Sequence, residues 1–197
     1  IDNTYQALMK EDRESAAEII EKDGEIDQVE RDIEGICLKL LLRQQPVASD
    51  LRRVSSALKM ITDMERIGDQ AADIAEIIKT GNLKAPAEAL GMGKMAKATM
   101  KMVRDSIDSF VKDDLDLAKQ VIDADDEVDG QFEQIRHMLA DGLVNKSATQ
   151  EQVLDLLMIA KYYERIGDHA TNIAEWVVYS ITGVHKSAEL TERKEQE

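Results

Sequence analysis

Carboxylates recur in this sequence at spacings that place them on one face of a helix. "ERIGDQAADIAE" runs from Glu65 to Glu76, and "ERIGDHATNIAE" runs from Glu164 to Glu175; the two stretches share nine of twelve residues. At about 100° per residue, Glu65, Asp69, Asp73 and Glu76 fall within about 80° of arc. Glu164, Asp168, Asn172 and Glu175 hold the same positions in the second stretch, where Asn172 keeps an oxygen and drops a charge. Upstream of each stretch lies a D-x-x-x-D pair, Asp23 with Asp27 and Asp125 with Asp129. If each pair shares a rim with the acids of the later helix, each half of the chain gathers four carboxylates. Such a group repels itself and raises its own pKa values. A multivalent cation removes that penalty, and an oxygen-only ligand set suits Mg, Ca, Mn or Fe, with carboxylates able to bridge two metals.

The arrangement is costly for a helix without a ligand. Like charges four apart cost about 0.2–0.5 kcal/mol each. Gly68 and Gly167, inside the repeated motif, each cost about 1 kcal/mol against alanine. A solvated acidic face with a glycine for close packing would explain one such segment. Two segments that keep the same penalties in register favour a shared purpose.

The elements that must position these acids are long helices. The chain has 197 residues, only two prolines, few aromatics and one cysteine, the composition of packed aliphatic helices. Met60, Met64, Ile67, Ala71, Ile74 and Ile78 form a 3-4 stripe, repeated by Ile159, Tyr163, Ile166, Ala170, Ile173 and Val177. That is the core seam of a bundle. The seam lies roughly opposite the acids. Leu51, Val54 and Leu58 lie on the acid side, which predicts that this part of the helix packs against the other half of the molecule.

The similarity extends further upstream. Lys10, Asp12, Ala16, Ile20, Asp23, Glu25 and Asp27 recur 102 positions later as Lys112, Asp114, Ala118, Ile122, Asp125, Glu127 and Asp129. Two matches in the same order at nearly one offset indicate a duplicated unit. Each unit reads as three helices: a first repeat over 1–83, a second over 84–184 and a polar tail over 185–197. Pro46 opens the last helix of the first unit, and Thr80–Gly81 closes it. In the second unit, Pro86 precedes a helix starting near Ala87 or Glu88, with a break near Asp113–Asp114. Gly142 suits a helix stop. Ser147 with Gln150, or Thr149 with Gln152, offers a capping box for the last helix, which ends near Thr182–Gly183. By the same offset, the first helix of the first unit would start about 14 residues before Ile1 (a shift read from the repeat).

Charge and cysteine usage narrow the function classes. A net charge of −15 repels nucleic acid and anionic membrane. No stretch of about 18 apolar residues is present, so no direct membrane insertion is expected. Cys37, alone in an apolar run, cannot form an intrachain disulfide and reads as a small core residue. Neither a Ser/His/Asp set nor a phosphate-cradling glycine loop is visible, and no catalytic residues are assigned. A carboxylate di-iron oxidase would need Glu-x-x-His on two helices; no such motif occurs, and His169 points about 100° away from Asp168. A purely structural helical scaffold is the remaining alternative.

"RQQPVASDLRRV" from Arg43 to Val54, both ERIGD stretches and the two D-x-x-x-D pairs together resemble the PhoU family. These are accessory proteins of the bacterial phosphate-specific transport system, and the resemblance covers essentially the whole chain. It implies an all-α fold of two tandem three-helix bundles. It also implies a metal cluster in each repeat, with iron the first expectation and zinc or another divalent metal next. Carried onto this sequence, one cluster is Asp23, Asp27, Glu65 and Asp69, and the other is Asp125, Asp129, Glu164 and Asp168. Asp73, Glu76, Asn172 and Glu175 are additional candidates. The implied role is a cytoplasmic, non-catalytic negative regulator of the phosphate-starvation response and modulator of phosphate uptake. It would form a homodimer and contact the ATPase subunit of the phosphate ABC transporter and the phosphate-sensing histidine kinase. A regulatory domain of a sodium–phosphate transporter is the alternative within the family. "QQPVASDLR" has no copy in the second unit, which reads "VNKSATQEQVL". That asymmetry marks Pro46, Asp50 and Arg52 as a candidate partner-binding corner, beside the simpler reading of a helix-entry turn.

Overall fold

The computed structural model describes residues 1–81, 83, 87, 90–145 and 148–184. Its helices are α1 (Asp2–Lys10), α2 (Arg13–Glu21), α3 (Asp23–Gln44), α4 (Ala48–Thr80), α5 (Met92–Lys112), α6 (Leu115–Val144) and α7 (Gln150–Thr182). No strand occurs among the described residues. Only Lys22 separates α2 from α3, and its N–H still reaches the carbonyls of Glu18 and Ile19 at 3.2 Å. The two are therefore one interrupted helix, the counterpart of α6. Among the described residues, each half thus holds three helices once α2 and α3 are taken together.

The repeated Lys-x-Asp signature builds the same corner twice. Glu11 and Asp113 both take a left-handed conformation, each with φ 52°, at a cost of roughly 1–2 kcal/mol for a residue with a side chain. The next residue caps the following helix. Asp12 Oδ1 accepts from the N–H groups of Glu14 and Ser15 at 3.1 and 3.0 Å, and Asp114 Oδ1 accepts from the Leu117 N–H at 2.9 Å. Such bonds satisfy amides that the first helical turn leaves unpaired. Ala16 and Ala118, four residues beyond each cap, are fully buried.

Several helix ends follow local chemistry. Thr149 and Gln152 form a reciprocal capping box at α7, whereas Ser147 lies outside the described residues. Gly183 ends α7 in the left-handed region, φ 78°. Gly81 ends α4 in extended conformation, φ −75°. Space makes it glycine: a Cβ there would lie 2.7 Å from the Ile77 carbonyl oxygen and 2.9 Å from an Asp155 carboxylate oxygen. Gly142 does not stop its helix; α6 continues to Val144 and is capped at Asn145. A single glycine costs about 1 kcal/mol, which a long packed helix outweighs. Pro86 and Glu88 lie outside the described residues, as does the tail beyond Val184; α5 begins at Met92 after Gly91, φ 75°.

The two halves share one core. Met60, Ile67, Ile74 and Ile78 from α4 join Ile159, Tyr163, Ile166, Ala170, Ile173 and Val177 from α7 in a continuous buried cluster with Met92, Met95 and Met102 of α5. The expected seams are therefore the core, with Met64 half-buried. Helices α4 and α7 run antiparallel. Arg52 reaches Ser180, Asp63 reaches His169 and Asn172, and Gly81 lies against Asp155. The midpoint of this pairing falls at the repeated motif itself. By contrast, α3 carries one buried residue, Cys37. Leu51 is exposed, and Val54 and Leu58 are half-buried, so that side of α4 is covered only in part.

Candidate metal site

Each glycine of the repeated motif receives an aliphatic side chain from the neighbouring helix. Ile26, between Asp23 and Asp27 on one face of α3, sits over Gly68: a Cβ on that glycine would lie 2.9 Å from Ile26 Cδ1. Val128, its repeat counterpart on α6, sits over Gly167 at 3.4 Å from the same hypothetical atom. The glycine lets the helix bearing D-x-x-x-D approach the helix bearing E-x-x-x-D, so acids from both meet at the rim.

In the first half three of the four expected acids converge. One carboxylate oxygen each from Asp27, Glu65 and Asp69 lie within 4.8 Å of one another, and all three side chains are half-buried. Asp23 lies beside them. Burial pushes its pKa up first, and the charges of Asp69, Asp27 and Asp73 add to the rise. Burial also raises Glu65, helped by Asp69, Glu30 and Asp27 and opposed by Arg66. Sequence reasoning missed Glu30, although it stands three residues after Asp27, hence on the same helical face. Arg66 donates to Asp69 at 3.1 Å and lies 3.6 Å from Glu65. Arg31 is 3.9 Å from Asp27. These arginines are more than half exposed, and such surface pairs offset little of the crowding.

The second half keeps the residues but not the convergence; among the described residues, Asp27, Glu65 and Asp69 are the group close enough to hold one ion. Asp168 is pushed up to about 6, by partial burial first and then by Glu164, Asp125 and Asp129, with Lys161 opposing. Asp125 is also raised by burial, with the nearby Thr171 hydroxyl opposing and Asp129, Asp126 and Glu164 adding to the rise. Asp129 is exposed. Lys161 donates to Glu164 at 2.6 Å and lies 5.4 Å from the centre of the Phe132 ring. Glu164 therefore already has a cation, supplied by its own helix.

The additional candidates separate. Asp73 has its pKa raised by burial first and then by its neighbours Glu76 and Asp69, while Tyr162 and Arg165 of α7 oppose the rise. Glu76 is exposed and Glu175 half-buried. Asn172 donates to Asp63 Oδ1 at 3.2 Å, and His169 Nδ1 meets the same oxygen at 2.9 Å. This Asp63–His169–Asn172 contact ties α4 to α7 rather than adding to the acidic rim. No local signal could reveal it, because the residues lie 106 and 109 positions apart.

The "QQPVASDLRR" corner uses its arginines within the molecule. Arg52 Nε donates to the Ser180 carbonyl at 3.5 Å and packs against Gly183. Arg53 pairs with Asp113, donates to the Phe110 carbonyl at 3.2 Å, and stacks 4.9 Å from the Phe110 ring centre. Pro46 is half-buried and Asp50 exposed at the same corner. The missing copy in the second unit thus has an internal explanation: this corner docks the first unit onto the second.

The donor set fits a hard cation. All three converging groups are carboxylates, with no thiolate or imidazole among them. Mg, Ca, Mn and iron accept such sets readily, whereas zinc favours nitrogen and sulfur.

A family model described as PhoU domain matches residues 1–78 and 92–177. The chain is 39% identical over 183 residues to a phosphate-specific transport system accessory protein PhoU homolog of Clostridium acetobutylicum, covering 90% of this chain and 82% of that protein. It is 33% identical over 201 residues to the Pseudomonas aeruginosa homolog, covering 100% of this chain and 82% of the other. The crystal structure of PhoU from Pseudomonas aeruginosa superposes with a TM-score of 0.83 at 33% identity, covering 93% of this chain and 88% of that one. The phosphate transport system regulatory protein PhoU from Streptococcus pneumoniae gives 0.86 at 30% identity, covering 93% and 87%. With the acids, the glycine-seated helices and the repeat all in place, the chain belongs to the PhoU family of phosphate transport system accessory proteins.

Proposed function

We propose that this protein is a metal-binding negative regulator of the phosphate-starvation response that acts by protein contacts and not by catalysis. Its partners would be the ATPase subunit of a phosphate ABC transporter and a phosphate-sensing histidine kinase, and it would act in the cytoplasm as a homodimer. No described helix is long and apolar enough to cross a membrane. The observation that carries the metal reading is the convergence of Asp27, Glu65 and Asp69 from two helices. Asp27, Glu65 and Asp69 would hold the ion, with Asp23 and Glu30 beside them. The ion would neutralise their mutual repulsion and tie α3 to α4. Iron is the first choice on the family resemblance; the oxygen-only donor set itself suits Mg, Ca, Mn or Fe.

Two experiments test the reading. Deleting the gene should raise expression of phosphate-starvation genes in phosphate-replete cells, and wild-type protein should restore repression. Unchanged expression after deletion would refute the regulatory role. Protein purified without chelator or affinity metal should contain metal, and Asp27→Asn with Asp69→Asn should remove most of it; equal metal content in both proteins would refute the site. Basic surfaces on the partners should be favoured by the net charge of −15, so binding should weaken as salt rises.

A further inference from the structure

The family resemblance implies a metal cluster in each half, yet the two rims do not offer an ion the same groups. In the first, one oxygen from each of Asp27, Glu65 and Asp69 stands within 4.8 Å of the others. Their counterparts Asp129, Glu164 and Asp168 form no such group among the described residues, and Asp129 is exposed.

Two positions set the rims apart. Lys161 of α7 stands where α4 has Thr62, and Phe132 of α6 stands where α3 has Glu30. Lys161 Nζ lies 2.6 Å from Glu164 Oε1 and 2.5 Å from Glu164 Oε2. The ammonium thus faces both oxygens of a carboxylate that an ion in this rim would need. The Glu164 side chain is 14% exposed, and its Oε2 is enclosed with no hydrogen-bond partner, so the contact there is charge against charge. The Phe132 ring centre lies 5.4 Å from the same ammonium, near enough for the ring face to attract a cation. In the first half, Glu30 instead adds its negative charge to the surroundings of Glu65.

Arg66 does not play the part of Lys161 in the first rim. Its Nε stands 3.6 Å from Glu65 and its side chain is 55% exposed, and the three acids still bring an oxygen each together. Its position is also kept in the second half, as Arg165, so it is not what distinguishes the rims. A divalent ion entering the second rim must either displace the ammonium from Glu164 or sit a few ångströms from a like charge. Both lower its affinity.

We propose that Lys161, held against the Phe132 ring, is the resident cation of the second rim and excludes metal from it, so that the chain carries metal in its first half alone. Occupancy of the first half rests on the reading of Asp27, Glu65 and Asp69 proposed above; exclusion from the second rests on Lys161. The residue three before the motif glutamate therefore decides whether a rim takes metal: threonine leaves it open and lysine closes it.

The test disables the first rim with Asp27→Asn and Asp69→Asn, then adds Lys161→Gln, alone and with Phe132→Glu. Manganese(II) binding is read by equilibrium dialysis with elemental analysis, and folding by circular dichroism. Each folded Lys161 variant should bind manganese at least about tenfold more tightly than its Lys161-bearing parent, because a unit charge a few ångströms from an ion near a protein surface is worth more than one decade. In the chain with its first rim intact, Thr62→Lys with Glu30→Phe should bind about tenfold more weakly than Thr62→Gln with Glu30→Phe, by the same charge. The proposal is overturned if the parent with Lys161 in place binds manganese that Asp168→Asn removes. It is overturned equally if the folded Lys161 variants bind no better than that parent. A wild-type chain that binds no manganese, beside Lys161 variants that do, would refute the first-rim reading and still support exclusion by Lys161.

Discussion

The two acidic rims differ more than their sequences do. In the first, Asp27, Glu65 and Asp69 converge, and the cations beside them are exposed arginines. In the second, Lys161 neutralises Glu164 directly and Asp129 stands exposed. Repetition has kept the residue types while a neighbouring side chain changed the chemistry. Phe132 stands where the first unit has Glu30, and its ring lies beneath Lys161. Two differences, Phe132 for Glu30 and Lys161 for Thr62, thus remove an acid from the second rim and hold a cation against another.

The largest expected effect separates the rims by metal. Asp27→Asn with Asp69→Asn should abolish most of the metal-dependent rise in melting temperature, since a ligand that binds only the folded state stabilises it by mass action. Asp168→Asn should leave most of that rise intact. Calorimetry with and without chelator, beside elemental analysis, reads both. Equal losses from the two rims would erase the distinction.

Next come the glycines. Gly167→Ala meets Val128 at ordinary contact distance, 3.4 Å, and should stabilise the protein by up to about 1 kcal/mol through helix propensity. Gly68→Ala meets Ile26 at 2.9 and 3.2 Å. It should gain less than its counterpart, or lose, and it should weaken metal binding by pushing α3 away. Denaturant melts and metal titration of the two variants check the order; a larger gain at Gly68 would contradict it.

A comparable stability effect should accompany loss of a cap. Asp114→Ala should cost about 1 kcal/mol, measured by urea unfolding. Thr149→Ala, which also breaks its capping box with Gln152, should cost a similar amount.

A smaller effect depends on pH. Asp168 is raised in the folded state to about 6 from its usual 3.8. The folded state therefore holds this proton more tightly than the unfolded state, and the contribution of Asp168 to stability falls as pH rises from about 4 to about 6. In chelator, Asp168→Asn should flatten that part of the melting-temperature profile. Lys161→Met, the smallest change, should steepen it, because Lys161 opposes the rise. A profile unchanged by either substitution would show that the second rim is not coupled in this way.

Much of the architecture was legible because it is local and periodic. The 3-4 stripe of Ile67, Ala71, Ile74 and Ile78 could only be a buried helix face, and the Lys-x-Asp signature marked both corners. The convergence of Asp27 with Glu65 and Asp69 followed from two spacings and a glycine between them. Other features depend on residues far apart in sequence. Asp63 meets His169 and Asn172 only because α4 and α7 run antiparallel, and this takes Asn172 away from the acidic rim. Lys161 was visible as i−3 to Glu164, but its pairing with Glu164 over Phe132 depends on α6 lying alongside. The Gly142 stop failed because a helix held by Leu139 and Ile135 in the core tolerates one unfavourable residue near its end.

The antiparallel pairing of α4 with α7 has a consequence for unfolding. Two repeats joined end to end could melt as independent foldons. Here the longest helix of each repeat is the wall against which the other folds, and the core runs without interruption from Ala7 to Val177. Neither half can open without exposing Ile74 and Ile166, both almost wholly enclosed. Duplication has therefore produced a single cooperative folding unit. A substitution in one repeat is felt as a loss of stability in the whole chain.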